Sequence, residues 1–299
     1  MKSLRMLGVM VATLSLLTMA LPAAAESRIE KNLELQPGGH FTVESEVGSV
    51  TVTGASRPGA RIVVTSERDD LESELEITFT NSPGWASVTA RRKNESFWSH
   101  GLSVHFEIEV PAATRTQIRT GGGSLKVSGL RGESNLRTSG GSIEVTGLNG
   151  NLQAHTSGGS IHIQEVTGDV HIETSGGGID VEAVEGNLQA HTSGGGIHIE
   201  RVSGYVEAKT SGGPIRATYS RGNKHGGELE TSGGSIEVAI DPSANLDLDA
   251  STSGGSVSSD LPVRVVGTIS HSSLHGSIGS GGESLRLHTS GGSIHIRAL

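Results

Sequence analysis

Residues 138–155 read TSGGSIEVTGLNGNLQAH, and the next two segments, TSGGSIHIQEVTGDVHIE (156–173) and TSGGGIDVEAVEGNLQAH (174–191), repeat the pattern at the same length. Tetrapeptides that begin with Thr and carry paired glycines start at Thr120, Thr138, Thr156, Thr174, Thr192 and Thr210, each 18 residues after the last. A unit this short cannot bury its own apolar side chains and must lay them against copies of itself. The apolar positions are held from copy to copy. Ile143 returns as Ile161, Ile179, Ile197 and Ile215, and Val145 as Ile163, Val181, Ile199 and Ala217. Leu148 returns as Val166, Val184 and Val202, Leu152 as Val170, Leu188 and Val206, and Ala154 as Ile172, Ala190 and Ala208. The two-residue separations 143/145 and 152/154 are the period of a strand, so each unit predicts two short strands with alternate side chains turned inward.

Glycines fall between the strands, as Gly140-Gly141 and its copies at one corner and Gly150, Gly168, Gly186 and Gly204 at the other, where they supply backbone freedom. Parallel coils about 4.8 Å apart would turn every repeated position into a ladder along a rod. The leading Thr is in phase with Leu152 and Ala154, which predicts a hydroxyl ladder pointing inward or lining a corner. The expected fold is therefore all-β, a β-solenoid of about 18 residues per coil with an N-terminal β cap region.

Three stretches follow from composition: a leader at 1–25, a cap or irregular coils at 26–113, and the repeat domain at 114–299. The leader sets Lys2 and Arg5 ahead of an apolar run from Met6 to Leu21 and ends in Ala23-Ala24-Ala25, which predicts export with cleavage after Ala25. Nothing later approaches the 18 consecutive apolar residues of a membrane span. All four Phe and both Trp lie between residues 41 and 106. Alternation at Leu71, Leu75, Ile77 and Phe79, and at Val104, Phe106, Ile108 and Val110, predicts half-buried strands there, and Glu46-Val47-Gly48-Ser49-Val50-Thr51-Val52 resembles a degenerate unit. After Thr210 the spacing loosens to Thr231, Thr252 and Thr289, so residues 218–227 and 260–282 read as enlarged turns or a hairpin. The final TSGGSIHIRAL restores the pattern and is expected to close the stack. GNLQAHTSGG at 150–159 recurs unchanged at 186–195, a sign of duplicated coil pairs.

The formal charge of −9 becomes −11 once a leader carrying Lys2 and Arg5 and no acid is removed. That balance argues against nucleic acid and anionic lipid as partners, since both reward clustered cations. The chain has no cysteine, which rules out disulfides and thiol redox chemistry and leaves stability to packing and backbone hydrogen bonds.

The thirteen histidines are the best source of chemistry. One outward file runs Glu144, His162, Asp180, His198, Arg216 and another runs Arg137, His155, Glu173, His191, Lys209. Imidazole and carboxylate one coil apart can share a divalent ion or, without one, form a solvated and mutually neutralising face; no compact ligand spacing such as HExxH favours the metal. Protonating every His would move the mature charge from −11 to +2, a basis for pH response. The calcium β-roll motif is not met, with Asp169 and Asp180 outside its frame. A glycosidase pair could be drawn from Asp180 with Glu144 or Glu182, but the repeats lack Trp and Phe for stacking on sugars, offering only Tyr205 and Tyr219. Ice binding would need a flat Thr face, whereas this Thr file is single. Arg91-Arg92-Lys93 before Phe97-Trp98 could form a contact loop for a membrane or partner, but isolated surface aromatics need no special explanation and a hairpin tip whose aromatics fold back on the cap is the expected reading. No catalytic, cofactor-binding or metal residue is assigned.

The leader, the aromatic region closing in Glu107-Ile108-Glu109-Val110-Pro111, and the serial SGGSI and SGGGI units together resemble the bacterial putative-adhesin family of β-strand repeat proteins, from about Leu33 to Arg297. That resemblance implies a right-handed, single-stranded β-solenoid in the cell envelope, with no enzymatic residues to carry over. The expected role is a non-catalytic structural or binding module, periplasmic or secreted, contacting an unidentified protein or envelope surface. The alternatives are a carbohydrate-active β-helix enzyme and a metal- or pH-responsive envelope component.

Overall fold

A computed structural model describes residues 27–67, 71–93, 103–265 and 270–299. The leader, Phe97 and Trp98 lie outside these residues. The described chain forms a β-solenoid with two long sheets of 13 and 14 strands. Each coil gives one strand to each sheet, as Ile143–Asn149 and Leu152–Thr156 do. Pairing is parallel and in register: Ile143 lies beside Ile161, Ile161 beside Ile179, and Ile179 beside Ile197. The interior between the sheets is a continuous aliphatic column in which Ile143, Val145, Leu148, Leu152, Ala154 and their copies are all buried.

Val145 and Leu148 both face inward although they are three positions apart, which plain alternation forbids. The chain resolves the conflict with a residue in the left-handed region at the intervening position. It is Gly129 and Gly147 in two coils (φ 67° in both), then Glu165, Ala183 and Arg201 (φ 55°, 59° and 55°) in the next three. The bulge restores the inward direction and re-aims the neighbouring side chain.

The second glycine of the pair at the Thr corner serves close approach. A Cβ on Gly159 would meet the Gly141 carbonyl oxygen at 2.2 Å, and one on Gly177 would meet that of Gly159 at the same distance. Backbone freedom, the expected reason, is not what this position requires, since neither residue has positive φ. At the opposite corner Gly150, Gly168 and Gly186 do have positive φ.

Both ends depart from sequence order. The last segment does not close the stack: Glu283–Thr289 is inserted between Gly227–Thr231 and Leu246–Thr252, and Ile294–Ala298 between Ile236–Ile240 and Val257–Ser259. The outermost coil is 246–259, covered by the antiparallel hairpin of Val263–Val265 and Ser273–Ile278, as the hairpin reading of 260–282 anticipated. The degenerate unit is a true coil. Its Ser45 pairs with Thr120 and its Val50 with Leu125, and it is held between residues 115–128 and the outer strands Trp85–Arg92 and Val104–Pro111. Antiparallel strands Ser27–Leu33, Ala60–Ser66 and Leu75–Ser82 then cover that end. Leu71, expected in a strand, sits instead in the single helical turn Leu71–Glu74, buried against the end of the core.

Candidate functional site: two laddered faces

The Thr file holds the coils to one another. Thr156 Oγ1 donates to the Gly141 carbonyl at 2.8 Å, Thr174 to Gly159, and Thr192 to Gly177, and each hydroxyl also accepts from the backbone N–H three residues on. These threonines are buried, so they form an internal clamp and present no surface to ice. Contact with the outside is left to the outward positions of the two sheets, which the register fixes as straight ladders.

On the first sheet the ladder runs Lys126, Glu144, His162, Asp180, His198, Arg216, Glu237, His295. Lys126 pairs with Glu144 at 2.7 Å and His162 with Asp180 at 3.3 Å. On the second sheet Arg119, Arg137, His155, Glu173, His191 and Lys209 follow one another. There His155 meets Glu173 at 3.4 Å and His191 turns sideways to Glu207 at 3.2 Å. The predicted files are therefore real neighbours. Among the described residues, however, no three His, Asp or Glu side chains gather as a metal group would require.

Stacking places like charges one coil apart at two acidic positions, and each is bridged. Arg201 reaches Glu182 at 2.5 Å and Glu200 at 3.5 Å, while Lys209 lies 3.1 Å from Glu207 and 3.0 Å from Glu228. The Arg201 hydrogen bond holds the Glu182 carboxyl below its ordinary range. For Glu207 burial pushes upward, but hydrogen bonds and charge from Lys209 and His191 outweigh it and the carboxyl titrates low. A group held ionised in this way cannot serve as the proton donor of a glycosidase, which needs a raised pKa. Asp180 sits between His162 and His198 with Glu144 two coils away, on an open face.

At the corner before the second sheet, Asn151 Oδ1 accepts from the Asp169 N–H, Asp169 Oδ1 from the Asn187 N–H, and Asn187 Oδ1 from the Tyr205 N–H, each at 3.0 Å. Since a backbone N–H only donates, the two asparagine NH₂ groups must point outward. With Gln153, His171 and Gln189 they line a shallow polar groove of about 290 Å³. Tyr205, 40% exposed, stands one coil further on. Sequence reading singled out Asp169 only to set it aside for calcium. The structural use of its carboxylate is visible only once the register is known.

Residues 187–297 match the family model described as Toastrack DUF4097. The resemblance read from the motifs ran further, from about Leu33. A comparison with curated proteins returned no match. Among solved structures the chain is similar to a putative cell adhesion protein from Clostridium sporogenes (12% identity, 91% of this chain and 100% of that one, TM-score 0.26). It is also similar to a putative adhesin from Bacteroides fragilis (11% identity, 92% and 99%, TM-score 0.43) and to a putative lipid binding protein from Parabacteroides distasonis (12% identity, 92% and 96%, TM-score 0.46).

Proposed function

We propose that this protein is a non-catalytic, adhesin-like binding module of the cell envelope, exported through its 1–25 leader and working through the polar faces of the rod. One observation carries the reading: the outward groups are spread as parallel ladders of hydrogen-bonded and ion-paired side chains, whereas catalysis needs unlike groups converging on one point. Repetition along a rigid rod suits many weak contacts acting together, because each further contact is made at high effective concentration. The partner is a protein or polymer of the envelope surface, and the mature acidic chain is not expected to bind nucleic acid.

The test is cosedimentation of the purified protein with washed envelopes from its source cells. Retention is expected to fall with salt and to drop several-fold in a variant with Glu173→Ala, Glu207→Ala and Glu228→Ala together. No retention at any ionic strength, or release of new reducing ends from the envelope polysaccharide during incubation, would overturn the reading.

A further inference from the structure

The paired strands of the described residues place like charges on adjacent coils in three ladder steps, and only two of them are neutralised from within. Glu182 and Glu200 share Arg201, and Glu207 and Glu228 share Lys209. The third step is Arg119 beside Arg137 on the second sheet. Both side chains are exposed, and among the described residues neither makes an ion pair or a side-chain hydrogen bond. On the far side of Arg119 the next ladder residue is Glu44, in register but not ion-paired with it; beyond Arg137 stands His155, already facing Glu173. Arg137 thus has no acidic neighbour on its own ladder. Two residues back along the same strands, Gln117 and Asn135 put amides on the same face.

We propose that Arg119 and Arg137 form a binding site for a dianionic phosphoryl group, free phosphate or a phosphate monoester, which takes the bridging place that Arg201 and Lys209 fill elsewhere. Arg119 and Arg137 stand on strands roughly 4.8 Å apart, within reach of one shared ligand, and each guanidinium fork can present a pair of parallel N–H donors. A carboxylate has two oxygens and satisfies one fork. A terminal phosphoryl group has three oxygens and a charge of about −1.5 to −2, so it can face both forks and neutralise both cations. The Gln117 amide supplies a neutral donor beside them. The acidic balance of the whole chain hides this site, because a net charge does not show which neighbouring cations lack an acidic partner. The inference stands apart from the adhesive reading and survives its failure.

The experiment follows the arginine Nε–H resonances of the purified protein during titration with inorganic phosphate and with glycerol 3-phosphate, against sodium chloride at matched ionic strength. Two of these resonances should shift on one saturable curve with phosphate and not with chloride. Arg137→Gln should weaken phosphate binding about tenfold or more, as loss of a charge-assisted fork predicts. Arg137→Lys, which keeps charge and loses the fork, should fall between, and Arg216→Gln on the opposite sheet should leave binding unchanged. Binding of glycerol 3-phosphate as well as phosphate supports a monoester ligand; binding of phosphate alone supports the free anion. Equal shifts in chloride, or unchanged affinity in a folded Arg137→Gln variant, would overturn the proposal.

Discussion

Thr174→Val isolates what the hydroxyl clamp contributes to the stack. Thr174 is buried, its Oγ1 lies 2.8 Å from the Gly159 carbonyl oxygen, and the Gly177 N–H approaches it at 3.4 Å. Valine has the same shape, so packing is preserved while a half-buried carbonyl loses its partner, at a cost of about 1–3 kcal/mol. The 3.4 Å contact is long and adds little. Thr174→Ser makes the opposite cut: the hydroxyl stays and one buried methyl goes, at roughly 1 kcal/mol. If hydrogen bonding fixes the corner, Val is the worse substitution, by about 1 kcal/mol; if the corner is held by aliphatic contact, Ser is worse. Urea unfolding followed by circular dichroism measures both from the midpoint, provided the slope stays constant. A Thr174→Val protein as stable as the parent, or more stable than Thr174→Ser, would refute the clamp.

Three other outcomes are expected. Ala183→Gly should raise stability by about 0.5–1 kcal/mol, because the left-handed conformation at φ 59° costs alanine more than glycine gains in unfolded-state entropy; a lower thermal midpoint would contradict this. Acid should weaken the fold through carboxylates whose pKa is depressed, Glu207 and Glu182 among them. Their contribution is fully present above the unfolded carboxylate value of about 4.3 and is lost as pH falls through the lower folded values, so Glu182→Gln should flatten the acid limb of stability against pH. Finally, Leu287→Ala, in the inserted strand, should cost about 2–5 kcal/mol. It should speed amide exchange in both Gly227–Thr231 and Leu246–Thr252; exchange in one neighbour alone would mean the inserted order is wrong.

The strands, their inward residues and the ladder partners were legible because stacking makes position 143 meet 161, and a period converts directly into contacts. Bulge, clamp and bridges were less so. Gly147 in one coil and Glu165, Ala183 and Arg201 in the next three share no side-chain property, so nothing in composition marks their common left-handed conformation. The signal was the three-residue gap between Val145 and Leu148, which period-2 alternation cannot accommodate without an extra residue. The ladders were readable as lists, but the contacts that cross between them were not. Arg201 reaching two glutamates and His191 turning to Glu207 depend on rotamers and on the bulge, which a one-dimensional pattern does not specify.

The order of coils was the least legible feature, for the same reason that the coils themselves were so clear. Units with one register are interchangeable as neighbours, so the period says that Thr289 stacks on a Thr and not which one. What breaks the degeneracy is the need to cover the sheet edge, since an open parallel edge is a template for further strands. The coil at 283–298 has no such cover, while the coil at 246–259 is continuous with an antiparallel hairpin that has its own turn. Placing the bare coil inside and the hairpin-bearing coil outside covers the edge of the second sheet, while Val257–Ser259 remains the edge of the first. The other end obeys the same rule, with residues 40–55 kept inside and antiparallel strands outermost. The second sheet thus finishes in antiparallel strands at both ends and the first at one, which leaves less parallel edge for strand addition and leaves the long walls as the larger surface for contact with other molecules.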